Sequence, residues 1–196
     1  MSEANEHDLL LRMASGDAEA FTALYRRHQG TVYRFALQMS GSGAIADDVV
    51  QETFLLLMRA ADSYDAARGS LGAFLLGVAR HQVLRRLERR WVLGEEAPAE
   101  PVAVEQPEAD LARSQMIEAV RRAVLALPVH YREAVVLCDL EEADYADAAA
   151  ALGCSVGTVK SRLHRGRRLL AQRLEAYDGG QVRRGIRPAG VGYDLP

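Results

Sequence analysis

Aromatic residues make up only 6% of this chain, and it has just two cysteines, Cys138 and Cys154. Two cysteines without a Cys-x-x-Cys spacing give no support to a zinc site. In a reducing compartment a disulfide between them is not expected either, so both are read as buried structural thiols. The chain also lacks long apolar runs. The longest, such as Phe54 to Met58, are short and broken, far below the roughly 20 residues of a spanning helix. The N-terminus (Met1-Ser2-Glu3-Ala4-Asn5-Glu6) is acidic, without the basic-then-apolar order of a secretory leader. The chain is therefore read as cytoplasmic, with no membrane insertion. No internal repeat and no convincing strand or hairpin is visible. A phosphate loop, a nucleophile elbow and a His-Glu-x-x-His spacing are all missing. His81, His130 and His164 fall on different predicted helices. An enzyme, and with it any cofactor or metal, is not expected.

The residues present are mostly helix-tolerant, with Ala, Leu, Val and Arg prominent. At 196 residues, 49% of them apolar and 26% charged, the chain can bury one ordinary core or two small ones. The net charge of −3 is a cancellation between segments. Residues 80–90 carry five arginines and one glutamate, residues 91–110 six acids and no Lys or Arg, and residues 155–184 eight Lys or Arg against two acids.

Periodicity predicts helices over His7–Ala14, from the cap Asp17 through Met39, over Ala44–Ala61 and over Ser70–Trp91. Phe21, Leu24, Tyr25, His28, Val32, Phe35 and Met39 form one stripe on the second. A loop covers Asp62 to Gly69. From Gly94 to Asp110 the pattern lapses into prolines and acids, read as an extended, flexible linker. Helices resume over Asp110–Leu127, Val129–Leu140, Tyr145–Leu152 and Val156–Tyr177. The glycine-rich remainder, 178–196, is read as a mobile tail. The fold class is all-α: two small helical domains joined by a linker, the second a helix-turn-helix.

The strongest local signal is Asp144 to Leu170, D-Y-A-D-A-A-A-A-L-G-C-S-V-G-T-V-K-S-R-L-H-R-G-R-R-L-L. A capped short helix, a turn containing Gly153 and a second helix make a helix-turn-helix. On the second helix Val156, Val159, Leu163 and Leu170 point to the core. Thr158, Ser161, Arg162 and Arg165 recur at i, i+3, i+4 and i+7 on another face. Guanidinium groups and hydroxyls are what meets base edges in a major groove. Lys160, Arg167 and Arg168, beside that face, suit phosphates, as does Ser155 at the helix start. The alternative is a solvated basic face on a structural helix.

Two further segments stand out. The arginines of the fourth helix, beside Tyr64 and Phe74, combine positive charge with rings as single-strand binders do. Phe74 is itself read as a core residue. Ala46 to Phe54, A-D-D-V-V-Q-E-T-F, opens the third helix with acids. The helix dipole accounts for acids there, and such a surface also suits a protein partner.

Together these segments resemble the sigma-70 family, in its extracytoplasmic-function group. A-D-D-V-V-Q-E-T-F resembles the helix that docks on the polymerase clamp helices. Gly69 to Arg90, G-S-L-G-A-F-L-L-G-V-A-R-H-Q-V-L-R-R-L-E-R-R, resembles the −10 helix. L-P-V-H-Y-R-E-A-V-V-L (Leu127–Leu137) and S-V-G-T-V-K-S-R-L-H-R-G-R-R-L-L (Ser155–Leu170) resemble region four. The family often carries Trp near Phe74 and Asn at the position of His81. The resemblance runs from about Asp8 to Tyr177.

It implies an RNA polymerase specificity subunit that directs promoter-specific initiation. Core polymerase, at its clamp helices and flap, would be held through Asp47, Asp48, Gln51, Glu52 and Phe54. The −10 element would be held through Ser63, Tyr64, Asp65, Arg80, His81, Arg85, Arg86 and Arg89. The −35 element would be read by Ser155, Thr158, Lys160, Ser161, Arg162, Arg165 and Arg168. The implied domains are 1–92, a linker 93–110, 111–177 and the tail 178–196. Promoter DNA and an anti-sigma factor are the other implied partners. The competing reading is a stand-alone helix-turn-helix regulator, which would bind duplex DNA tightly without polymerase, usually as a dimer.

Overall fold

The computed structural model describes residues 3–92 and 108–183. Eight α-helices are present among them: α1 (Glu3–Ala14), α2 (Ala18–Ser40), α3 (Gly43–Arg59), α4 (Leu71–Val92), α5 (Glu108–Leu125), α6 (Val129–Val135), α7 (Tyr145–Leu152) and α8 (Val156–Arg183).

The N-terminal unit, α1 to α4, is held to its boundaries by local chemistry. Asp17 caps α2, accepting from the amides of Glu19 (2.9 Å) and Ala20 (3.1 Å). Arg12, at the end of α1, donates to the same carboxylate at 2.7 and 2.9 Å. That partner and the two amides hold Asp17 below the usual carboxylate range. The turn between α2 and α3 begins with Gly41 in the left-handed region, and Ser42 caps α3. Leu24, Val32, Phe35 and Met39 of α2 are buried with Val49, Phe54 and Leu57 of α3 and Leu71, Leu75 and Val83 of α4. The α2 stripe expected from periodicity is thus largely the core-facing one, with Phe21, Tyr25 and His28 half-buried at its edge. The expected loop after α3 contains two short 3-10 turns, Ala61–Ser63 and Ala66–Arg68.

In the C-terminal unit the helix expected over Val129–Leu140 is α-helical only to Val135 and then widens into a π turn, Val136–Leu140. The amide of Glu141 reaches back five residues to the carbonyl of Val136 at 2.9 Å. Asp144 caps α7 as expected, accepting from the amide of Asp147 at 2.7 Å. Gly153 ends it at φ 62°, ψ 37°, and the Cys154 amide closes on the Ala149 carbonyl at 3.0 Å. Where α8 crosses α6, Gly166 is buried. A Cβ there would lie 2.7 Å from a Val135 methyl and 3.2 Å from the Tyr131 carbonyl, so the crossing depends on having no side chain. Val159 and Leu163 face inward as expected, but Val156 is exposed because it lies in the first turn, beyond the reach of the core.

Several boundaries differ from the sequence reading: α1 already starts at Glu3 and α3 ends at Arg59. Helix α5 starts at Glu108, and α8 continues to Arg183, past the expected end at Tyr177. Once nucleated, a helix gains one hydrogen bond per added residue, which offsets the roughly 1 kcal/mol cost of each glycine at Gly179 and Gly180. Most of the expected linker, 93–107, and the tail from 184 onward lie outside the described residues. Cys138 and Cys154 are free and half-buried, and burial pushes the Cys138 thiol up, as suits an unreactive structural group.

The two units share one apolar cluster. Val124, Val136, Leu137, Ala148, Ala151, Leu152 and Val159 belong with the core of α2, α3 and α4. Arg132 of α6 donates to the carbonyls of Met39 (2.6 Å), Leu125 (2.5 Å) and Leu127 (3.1 Å), closing the ends of α2 and α5 together. Cationic side chains are favoured at helix C-termini for this reason. Burial pushes the Arg132 pKa down.

Asp144→Ala and Gly153→Ala should each lower urea-unfolding stability by about 1 kcal/mol, from the lost cap and the strained left-handed residue. Stability should also fall on acidification. His28, against Glu6 at 3.1 Å, has its pKa lowered from 6.5, chiefly by burial, which Glu6 only partly offsets. The unfolded chain therefore binds a proton that the folded one resists, and this contribution is lost as pH drops below 6.5. In thermal melts across that range, His28→Gln should flatten the pH dependence relative to the parent. An unchanged slope would remove His28 as its source.

Candidate nucleic-acid and partner interfaces

Helix α8 presents its basic side outward. Lys160, Ser161, Arg165 and Arg168 are exposed, and Thr158 and Arg162 are half-buried beside them. Ser155 is committed to capping. Its hydroxyl accepts from the Thr158 amide (3.1 Å) and meets the Thr158 hydroxyl (2.9 Å). The Ser161 hydroxyl donates to the Thr158 carbonyl at 2.9 Å. These hydroxyls position the start of the helix, and the guanidinium groups further along are left to face a ligand. Lys160 stands over the Tyr145 ring at 5.4 Å, a cation–π contact that ties its stem to α7. Arg167, expected beside them as a phosphate anchor, is instead forked onto Asp139 at 2.5 and 3.0 Å. The π turn after α6 brings that carboxylate to α8, and the pairing raises the Arg167 pKa.

The loop between α3 and α4 is stiffened by its own polar groups. The Ser63 hydroxyl donates to the Ala60 carbonyl (2.5 Å), the Tyr64 hydroxyl to the Gly69 carbonyl (3.3 Å), and Asp65 accepts from the Ala67 amide (2.9 Å). The Tyr64 ring packs edge-on against Phe74 at 5.7 Å. Phe74 is half-buried and packed against the core, as its core reading expects. A cleft of about 840 Å³ lies beside this loop, with Tyr64, Arg68, Phe74 and His81 on one wall and Ala149, Gly153 and Ser155 on the other.

The arginines of α4 divide into two sets. Arg85 and Arg89 are exposed, as is His81. Arg80 is engaged by Glu133 at 2.6 and 3.4 Å, and Arg86 by Glu52 at 2.7 Å, with Asp48 at 4.0 Å. Arg86 therefore links the group of residues expected at DNA to the group expected at polymerase.

On α3, Asp47, Asp48, Gln51 and Glu52 are exposed on one side. Phe54 is a correction: it is 2% exposed, with its ring 4.8 Å from that of Tyr25, and so cannot touch a partner. The apolar side chains that α3 does leave exposed include Leu55 and Met58, 48% and 53% exposed. The sequence reading chose Phe54 as the apolar member of this surface and passed over these two. Their spacing from Gln51, i+4 and i+7, was the available signal.

Among the described residues no group of three or more His, Cys, Asp or Glu could hold a metal ion, and no helix is long and apolar enough to cross a membrane.

A family model for sigma-70 region 2 matches residues 24–92, and one for sigma-70 region 4 matches residues 117–170. The extracytoplasmic-function (ECF) RNA polymerase sigma factor SigM of Mycobacterium tuberculosis (strain H37Rv) is 37% identical over 177 residues, spanning 88% of this chain and 86% of that one. The ECF sigma factor SigE of Mycolicibacterium smegmatis is 35% identical over 169 residues, 82% of this chain but only 65% of its own length. Two solved structures superpose well. CnrH in complex with the cytosolic domain of CnrY gives a TM-score of 0.67 at 27% identity, over 88% of this chain and 98% of that one. The sigma factor RpoE in complex with the anti-sigma factor NepR from Bartonella quintana gives 0.64 at 26%, over 81% and 98%.

The geometry of α8 separates neighbouring arginines. Arg165→Ala should weaken binding to duplex DNA by about 1–3 kcal/mol and relax its sequence preference. Arg167→Ala, which removes a side chain held by Asp139, should change both far less. Equal losses in fluorescence-anisotropy titrations at several salt concentrations would contradict this division.

Proposed function

This chain belongs to the sigma-70 family, in its extracytoplasmic-function group, and from that premise we propose how an alternative sigma factor of this sequence divides its work. The N-terminal unit, 1–92, holds core polymerase and the −10 element. The segment 93–110 links it to 111–177, which reads the −35 element, and 178–196 is a tail outside that machinery. The protein works in the cytoplasm and needs no chemistry of its own.

Polymerase docks on α3. Asp47, Asp48, Gln51 and Glu52 supply charge and hydrogen bonds, and the exposed Leu55 and Met58 supply the apolar area that gives a small interface its affinity. The −35 duplex lies against α8, with Arg162 and Arg165 toward base edges and Lys160 and Arg168 toward phosphates. The −10 strand lies along the loop 61–70 and α4. Extruding a base costs a few kcal/mol, which a pocket beside Tyr64 and His81 would offset, with Arg85 and Arg89 on the phosphates. No nucleotide hydrolysis is needed for that exchange. An anti-sigma factor is a further partner, by analogy with RpoE, which was solved with NepR. The observation that carries this reading is the joint presence of regions 2 and 4 with a solvent-facing basic helix on the second.

Run-off transcription with purified core polymerase on a library of genomic promoter fragments tests it directly. Discrete start sites should appear only when the protein is added. Tight duplex binding by the protein alone, with no initiation, would replace this reading with a stand-alone regulator. With Arg165→Ala, recognition of the −35 element should fall more than core binding, and equal losses would overturn the assignment of α8.

A further inference from the structure

One edge of α8 carries a charge that the fold cancels. Lys160, His164 and Arg167 recur at i, i+4 and i+7, so they line the helix beside its outward basic side. All three are exposed. Among the described residues Lys160, Arg162, Arg165 and Arg168 have no carboxylate partner, whereas Arg167 has one.

That partner, Asp139, reaches α8 from the π turn, a widened turn of the kind found often at functional sites. Its two oxygens accept from Nη2 (2.5 Å) and Nε (3.0 Å) of Arg167. A guanidinium meets a phosphate with the same fork, so Asp139 takes up donors that a DNA backbone would use. The pair is not buried: the Arg167 side chain is 57% exposed and that of Asp139 23%. It does not rescue a charge removed from water, as Arg80 does for Glu133. An exposed pair adds little to stability, whereas a cation withheld from a duplex changes binding directly.

We propose that Asp139 is a built-in phosphate mimic: it holds Arg167 off the DNA backbone and keeps the sequence-independent part of duplex binding by α8 low. This rests on the reading of α8 as the −35 helix. Phosphate contacts add affinity without sequence information. Masking one of them leaves a larger share of the binding to Arg162 and Arg165, the side chains toward base edges. Asp139 touches no DNA itself. It is a positioning residue that acts through Arg167.

The test uses the full chain, with circular dichroism to report that each variant is folded. Fluorescence anisotropy follows binding to a −35 duplex, taken from a promoter found by run-off transcription, and to a scrambled duplex of equal length. Asp139→Ala should tighten binding to both duplexes alike, and most at low salt. Between about 50 and about 200 mM salt that advantage should shrink about 3.5-fold, as one added phosphate contact requires. Asp139→Asn, which can still accept a neutral hydrogen bond, should act in the same direction by less. In an Arg167→Gln background, Asp139→Ala should lose most of its effect, because the released side chain no longer carries charge. A merely structural role predicts the opposite sign, since a displaced α8 would bind less tightly.

Folded Asp139→Ala and Asp139→Asn proteins that bind duplex no more tightly than the parent would overturn the proposal. So would a gain of equal size in the Arg167→Gln background, which would come only from losing a nearby negative charge. If Arg165→Ala leaves binding to both duplexes unchanged, the assignment of α8 itself has failed. If Arg165→Ala weakens binding and Asp139→Ala does nothing, the mask alone has failed.

Discussion

Glu133 carries a carboxylate that is only 1% exposed, and a charge removed from water has to be met by another charge or by hydrogen bonds. Arg80 meets it from the other unit. The residue before it, Arg132, reaches the ends of α2 and α5. Two adjacent residues of a seven-residue helix thus tie α6 to three helices, two of them, α2 and α4, in the N-terminal unit. Removing either partner of the buried pair would strand the other, so the arrangement is kept as much by the penalty of breaking it as by the worth of the contact. The shared apolar cluster and the small residues of α4 and α7 complete the fit.

That constraint sets which charges are available to a ligand. Positive charge on α4 and α8 is abundant in sequence, but much of it is neutralised in place. Arg80, Arg86 and Arg167 each face a carboxylate, whereas Arg85, Arg89, Arg165 and Arg168 are exposed. Exposed pairs such as Arg86–Glu52 are worth only about 0.2–1 kcal/mol, so a phosphate or a docking protein can displace them. Glu141 shows the same balance from the acid side. Burial raises its pKa, and Arg34 pulls it back only in part. Contacts of this kind hold a conformation while leaving it open to competition.

Local chemistry in the chain was enough to locate most of the helices. Asp17, Asp144 and Gly153 cap and stop helices through bonds to residues two to five positions away, and the α2 stripe follows from a 3.6-residue period. The π turn was not legible, because it comes from how α6 settles against its neighbours. Phe54, Leu55 and Met58 show the limit of periodicity: all three are apolar and close in sequence, and only the packing of α3 against α2 tells which one is inside.

The sequence by itself determined an all-α chain of two matched regions, a capped helix-turn-helix and a basic helix whose outward face could be named residue by residue. Those features depend on spacing along one helix or across one turn, where neighbours in sequence are neighbours in space. Only the tertiary structure decided which cations are already paired, that the two units share a core, and that carboxylates of one unit lie against the proposed −10 face of the other. The partners in those contacts lie far apart in sequence, 34 residues for Glu52 and Arg86, 53 for Arg80 and Glu133, and 77 for Ser70 and Asp147. Contacts over such distances are set by how helices pack, and helical periodicity does not report them.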